Sequence, residues 1–505
     1  MHCTTQSPPA LLQREGARPQ IVVPPPGPAA RAWWEFHHLH APPSTYCYPF
    51  VWDVTLPAGG PFCHDPDGNL YLDFYAHVAA APLGYNHPTI LRECGVPFDP
   101  IKTAAHDTII AVGPSPAAPA PLPLPHREAE HFRTPAHLQA LLCELCAPFG
   151  FDAAFLVNSG AEANENAIKA ALHRKWRMLR ERLGGDLWEK LLRQLGVGRN
   201  PLLPGLFEDY PLFGIAFQGA FHGRTLGALS LSLSKEVHKE GFPTLRWVRH
   251  LPFNRAPLPV DLLIEETPLR ELLAQGRLPQ VVHEWRRIPR ELLAFVILEP
   301  IQGEGGYVFA EPAFARAAER LARESDALLI CDEIQTGLGR SGRWWASEHL
   351  GVRPDLLTLG KGLRVGAVVG RRRDFPPEPG VLSGTWSGGE LAAAVGAATL
   401  EVIREENLLA NARAMGARLL AGLEELAARH PELQRPRALG LLVAFDLPSR
   451  EARGGLVERL FRAGLLTLGC GRESVRLLPP LDVRAREVDL ALGILARALA
   501  GREGA

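Results

Sequence analysis

Between residues 155 and 359 the chain alternates short apolar runs with longer helical patterns, and this alternation restricts the fold more than any other feature. The runs at 155–157, 213–217, 294–298, 327–331 and 356–359 have strand length and are bounded by Gly, Asn or Asp. A long helix is expected from about Ala161 through the region 176–193, with a break at Gly184-Gly185, and another helix near 313–323. Strands joined through helices imply parallel crossovers and a layered α/β domain. After Gly388 the texture changes. Helical stretches at 390–405 and 410–429, short strands near 441–445 and 474–477, and a last helix at 485–499 read as a smaller α+β domain.

The chain has 505 residues, long enough for several domains or one large α/β domain with additions. Segments 1–30 and 113–125 are Pro-rich; the first reads as an irregular arm, the second as a surface excursion or lid-like loop. The expected organisation is an arm over 1–30, part of a small domain over 31–110, a large domain over 111–387 and the remaining small domain over 388–505. A turn entering a strand is expected at 68–73, and no internal repeat is present. At 46% hydrophobic and 22% charged residues the composition is globular rather than disordered. A net charge of −1 gives no general electrostatic case for nucleic acid or an anionic membrane as partner. The longest aliphatic run, 292–298, is far short of the ~20 residues of a membrane span. The N-terminus lacks a secretory pattern, and eight cysteines are too sparse for a disulfide scaffold, so cytoplasm is the expected location. Cys143 and Cys146 form a C-x-x-C, but with no second pair they read as core cysteines one helical turn apart, and no metal is expected.

In an open α/β sheet ligands sit beyond the carboxyl ends of the strands, so those positions carry the search for chemistry. Ser159-Gly160-Ala161 opens a helix, where free amides suit a phosphate; such a segment is also an ordinary helix cap. Asp332 follows the 327–331 run. A carboxylate there could hold a proton on a heteroaromatic nitrogen, or could simply be a solvated or capping acid. Lysine occurs only at positions 102, 169, 175, 190, 235, 239 and 361. Lys361, between two glycines after the 356–359 run, is poorly explained by packing, and its amine could form an imine with an aldehyde. Cradle, carboxylate and lysine, in that order, are three anchors of pyridoxal 5′-phosphate.

Five motifs carry a family resemblance: 158–170 (NSGAEANENAIKA), 219–227 (GAFHGRTLG), 299–306 (EPIQGEGG), 332–340 (DEIQTGLGR) and 360–363 (GKGL). They resemble the class III aminotransferases over about residues 68–499. The resemblance implies a fold-type I pyridoxal-phosphate transferase, with a large, mostly parallel sheet domain and a smaller α+β domain. It implies that Lys361 binds the cofactor and moves the proton, that Asp332 pairs with the pyridine nitrogen, and that Gln335 bonds the ring oxygen. Phe221 would stack on the ring with His222 and Gly223 at its edge, and Gly160 and Ala161 would hold the phosphate. Thr385 in 383–386 (SGTW) resembles the threonine that reaches the neighbouring subunit's phosphate, which implies a homodimer with shared sites. Arg476 in 474–480 (SVRLLPP) resembles the arginine that receives the α-carboxylate of glutamate, with Glu304 as the acid that covers it; a plain surface ion pair is the alternative.

Finer similarities at 74–88, 220–239 and 469–481 are to 4-aminobutyrate aminotransferases and the related lysine 6-aminotransferases. In the first, Arg224 and Lys235 would bind the far carboxylate of the amine and Val78 would line the pocket. Some members carry an iron–sulfur cluster on two cysteines; the matching positions here are Ser159 and Glu162, so no cluster is expected. The expected reaction moves an ω-amino group from 4-aminobutyrate to 2-oxoglutarate. A lysine 6-aminotransferase, an aminomutase and a non-catalytic descendant of the fold stand as rivals; the intact Lys361, Asp332 and Gln335 argue against the last.

Overall fold

Strands buried on both faces are largely apolar, and five of the sheet strands here are so. The computed structural model describes residues 11–42, 48–95, 133–195, 212–283 and 287–501. The Pro-rich segment 113–125 and the first ten residues of the expected arm lie outside them. By backbone contacts the chain falls into two units, one of Met1–Val96, Leu338–Trp344 and Ala398–Ala505, the other of Pro97–Gly337 and Trp345–Ala397.

The second unit is built on a seven-stranded sheet. Its strands are β1 (Ala153–Val157), β2 (Phe213–Phe217), β3 (Val248–Leu251), β4 (Leu293–Leu298), β5 (Leu328–Asp332), β6 (Leu356–Leu359) and β7 (Gly366–Gly370). The spatial order is β1-β7-β6-β5-β4-β2-β3. From β3 to β6 every pair is parallel, whereas β7 runs antiparallel to both β6 and β1. Strands β2, β4, β5, β6 and β7 are buried along their whole length, as a sheet covered on both faces requires.

Helix α1 (Gly160–Gln194) follows β1 directly. Its N-cap is Ser159, whose Oγ accepts from the Glu162 amide at 3.3 Å, while Glu162 Oε2 reaches back to accept from the Asn158 amide at 2.9 Å. This reciprocal pairing fixes where the helix begins. At Gly184 the backbone turns to φ 74° and breaks the helical geometry, at the place where paired glycines predict a break. Helix α2 (Pro312–Glu324) lays Phe314, Ala315, Ala318, Leu321 and Ala322 against the sheet.

The first unit has its own core. Phe62–His64, Leu70–Asp73 and Leu465–Leu466 form one small sheet. Gln434–Leu439, Leu442–Asp446, Ser474–Leu477 and Leu468–Cys470 form an antiparallel one, flanked by the helices Leu408–Arg429, Arg450–Arg462 and Ala485–Leu499. Among the described residues no helix is long and apolar enough to cross a membrane, and no three His, Cys, Asp or Glu side chains gather where they could hold a metal ion. Cys143 is half-buried and Cys146 buried at the end of the helix Pro135–Leu145, and both are free thiols.

Candidate active site

Strand register sets the first distance in the site. Asp332, the last residue of β5 rather than the residue after it, pairs with Thr358 of β6. Lys361 lies three residues beyond Thr358, so the two groups stand at one end of neighbouring strands, within about 10 Å along the chain direction and one strand spacing across. Lys361 is half-buried and left-handed at φ 47°. The glycine before it is needed for closeness: a Cβ on Gly360 would sit 3.1 Å from Cα and 3.3 Å from N of Gly160. The start of α1 therefore touches the lysine loop backbone to backbone. Gly223 closes the same corner with φ 134°, and a Cβ there would lie 2.7 Å from that of Ala161. Ser159, Gly160 and Ala161 thus present a helix N-terminus to a cradle kept open by three glycines.

Asp332 is buried, and its two oxygens are held from three directions. Oδ2 accepts from Asn164 Nδ2 at 2.8 Å and lies 2.7 Å from His222 Nδ1, while Oδ1 accepts from the Ile334 amide at 3.0 Å. Asn164 is fully buried, and every polar atom of its amide is used. Nδ2 also donates to the His222 carbonyl at 2.7 Å, and Oδ1 accepts from Thr358 Oγ1 at 2.7 Å. That network fixes the amide's orientation, since only the NH2 can face a carboxylate and a carbonyl. Asp332 is therefore not a solvated acid. The opposite nitrogen of His222, Nε2, is buried without a hydrogen-bond partner.

Glu299, one residue past β4, is the buried acid that motif reading passed over. Its Oε1 accepts from the Phe221 amide at 2.8 Å and its Oε2 from the Gly303 amide at 3.1 Å. Burial, aided by the Asp332 charge and opposed by His222, pushes its carboxyl up to about 7. The half-buried ring of Phe221 is thereby fixed by its own backbone. Gly303 lies so close to buried Gln335 that a Cβ would overlap Oε1 of the amide.

A charged group sits beside Phe221. Lys235 Nζ donates to Glu304 Oε2 at 2.8 Å, and Arg224 Nη2 lies 3.2 Å from His238 Nε2. The His238 ring meets Phe221 edge to face, centroids 5.4 Å apart. The structure therefore gathers Gly160, Ala161, Phe221, His222, Asp332, Gln335, Lys361, Arg224, Lys235 and Glu304 in one unit. Thr385 is in that unit too, exposed next to Trp386, which is 61% exposed. Arg476 and Val78 belong to the other unit. Arg476 is buried in the strand Ser474–Leu477, opposite Ala444 and Leu468. Val78 lies in a left-handed turn, Ala76–Ala79, whose four residues have φ of 42° to 67°, a conformation costly for a β-branched side chain. Asp73 accepts from the Tyr75 and Ala76 amides at the start of that turn.

Pyridoxal 5′-phosphate fits this donor set. A phosphate would suit the open cradle, a ring nitrogen would suit the buried carboxylate held by Asn164 and His222, and an aldehyde would suit Lys361, the lysine that follows a sheet strand among the described residues.

Known proteins agree with that chemistry. The family described as aminotransferase class III matches residues 52–499. Human mitochondrial 4-aminobutyrate aminotransferase is 31% identical over 444 residues, 87% of this chain and 83% of its own. Acetylornithine aminotransferase of Thermosynechococcus vestitus is 32% identical over 445 residues, 86% of this chain and 90% of its own. Among solved structures, lysine aminotransferase from M. tuberculosis superposes with a TM-score of 0.68 at 30% identity, covering 94% of this chain and all of that one.

Proposed function

The chain belongs to the class III aminotransferases, pyridoxal-phosphate-dependent enzymes of fold type I, and from that premise we propose that it moves an ω-amino group from 4-aminobutyrate, or a similar ω-amine, to 2-oxoglutarate. The products are the semialdehyde and glutamate. The observation that carries the donor choice is the Arg224–Lys235–Glu304 group beside Phe221, two cations and one acid placed to meet a carboxylate at the far end of the amine.

Each residue then has a task. When bound, pyridoxal 5′-phosphate supplies an aldehyde carbon for the amine and a ring that draws electrons from the bond that breaks. Lys361 Nζ would hold that carbon at rest and would carry the proton between substrate and cofactor carbons. Asp332 would hold a proton on the ring nitrogen, and Asn164 and His222 keep its carboxylate aimed. Gly160 and Ala161 amides bind phosphate, Phe221 stacks on the ring, and Gln335 bonds its oxygen. Arg476, gated by Glu304, receives the α-carboxylate of glutamate. Thr385 reaches the phosphate of a second copy, making the working form a homodimer; the exposed Trp386 beside it supports a covered surface there. The five free cysteines among the described residues are in keeping with a reducing cytoplasm.

Lysine as donor is the second reading, supported by the 30% identity to the M. tuberculosis lysine aminotransferase. A panel of 4-aminobutyrate, L-lysine, L-ornithine and N-acetylornithine against 2-oxoglutarate and pyruvate separates the readings. Faster turnover of L-lysine than of 4-aminobutyrate would overturn the donor choice, and preference for pyruvate would overturn the roles of Arg476 and Glu304.

A further inference from the structure

We propose that His238 is a positioning residue that aims Arg224 at the far carboxylate of the amine substrate, so that one anionic group is read there. This rests on the ω-amine reading above and names the feature of the substrate that the site selects.

A guanidinium has donors and no acceptor, so in the 3.2 Å contact between Arg224 Nη2 and His238 Nε2 the imidazole nitrogen must accept. The proton of a neutral His238 is then on Nδ1, which lies 3.2 Å from Ser234 Oγ. Ser234 orients the ring, and the ring orients Arg224. The edge-to-face contact with Phe221 sets the ring's distance from the cofactor slot. The charged groups facing His238 are Arg224, Lys235 and Glu304. Partial burial, then Arg224 and Lys235, hold its protonated form down, against the pull of Glu304.

Counting formal charge, Arg224 and Lys235 are cations, Glu304 is an anion and His238 is neutral, which leaves one net positive charge. A single carboxylate balances it. An amine whose far end also carries an ammonium group, as lysine and ornithine do, brings a cation to a site already cationic. Selection for a monocarboxylate ω-amine follows from the pairing.

The test compares wild type, His238→Ala and His238→Gln holoenzymes on 4-aminobutyrate and on n-butylamine, which lacks the carboxylate, with 2-oxoglutarate as acceptor. In His238→Ala the ratio of kcat/KM for the two donors should fall about tenfold, the size expected for a weakened hydrogen bond to a charged group. The fall should come chiefly from KM for 4-aminobutyrate. His238→Gln offers an amide oxygen to Arg224 and should restore most of it. An equal loss on both donors, or a glutamine variant as poor as alanine, overturns the proposal. Nitrogen-15 NMR of the apoprotein should show the Nδ1–H tautomer at neutral pH; an imidazolium or the Nε2–H tautomer there overturns it as well. If wild type itself shows no preference for the carboxylate donor, the ω-amine reading has failed. If the preference exists and His238→Ala leaves it intact, only the role of His238 has failed.

Discussion

Replacing Asn164 by Asp exchanges an NH2 for an oxygen at the most constrained point of the site. In the native network that NH2 donates 2.8 Å to Asp332 Oδ2 and 2.7 Å to the His222 carbonyl. The variant turns both bonds into contacts between acceptors and sets two carboxylates in one buried pocket. Two unit charges about 4 Å apart at an effective dielectric constant near 20 repel by about 4 kcal/mol. Part of that is relieved when one acid takes up a proton, so the pair titrates with one carboxyl raised. A raised carboxyl makes the folded state hold more protons than the unfolded one, so stability falls as pH climbs through the window above the ordinary carboxyl range. We expect Asn164→Asp to lose about 3 kcal/mol relative to wild type at pH 8 and much less at pH 5. Cofactor affinity should drop in parallel, because a shared proton weakens the hold on the ring nitrogen. Urea unfolding of the apoprotein at both pH values, with a cofactor titration at each, measures this. Asn164→Ala is the control, with a loss of about 1–3 kcal/mol and little pH dependence. Equal urea midpoints for wild type and Asn164→Asp at pH 8, with unchanged cofactor affinity, would refute the reasoning.

Further outcomes follow from the structure. Gly360→Ala should weaken cofactor retention, because its Cβ would press on the Gly160 backbone, whereas Gly160→Ala meets the Ile334 side chain, whose end can move, and should weaken it less; equilibrium dialysis ranks them. Glu299 holds its proton up to about 7 against an ordinary 4.5, so wild type should lose up to about 3 kcal/mol relative to Glu299→Gln as pH rises across that window, read from urea midpoints. The same substitution turns an NH2 toward the Phe221 or Gly303 amide and should speed loss of the visible absorbance on dialysis. Lys175 is buried with its amine on the Ser325 carbonyl, and burial lowers it to about 7. The unfolded chain then binds more protons above pH 7, so wild type should gain stability relative to Lys175→Met from pH 7 to 10, and a flat difference would contradict the assignment.

The frame of the site was legible because it lies where apolar runs end. β2 and β6 begin and end where the apolar runs do, and Lys361 and Asp332 are chemically conspicuous at their positions. What stayed hidden were polar residues inside elements. Asn164 reads as one of several polar residues in a helix opening; only its place one turn after Gly160, on the face turned to the strand ends, marks it. Thr358 is a strand residue until its partner is known, and Glu299 was overshadowed by Glu304 in the same motif. The antiparallel β7 went unread because its glycine ends resemble loop, while its short run, Ala367-Val368-Val369, depends on β1 and β6 for pairing. The contact of His222 Nδ1 with Asp332 joins residues 110 positions apart, and no local pattern reports it.

Seven lysines allow a single decisive mapping of the amine. The holoprotein is reduced with borohydride, digested, and its peptides are searched by mass spectrometry for the cofactor's added mass. The account predicts the pyridoxyl group on Lys361 alone, and none anywhere in Asp332→Ala purified without added cofactor. Attachment at Lys235, Lys175 or any other lysine, or a Lys361→Ala protein that still captures the group at full yield, would contradict it.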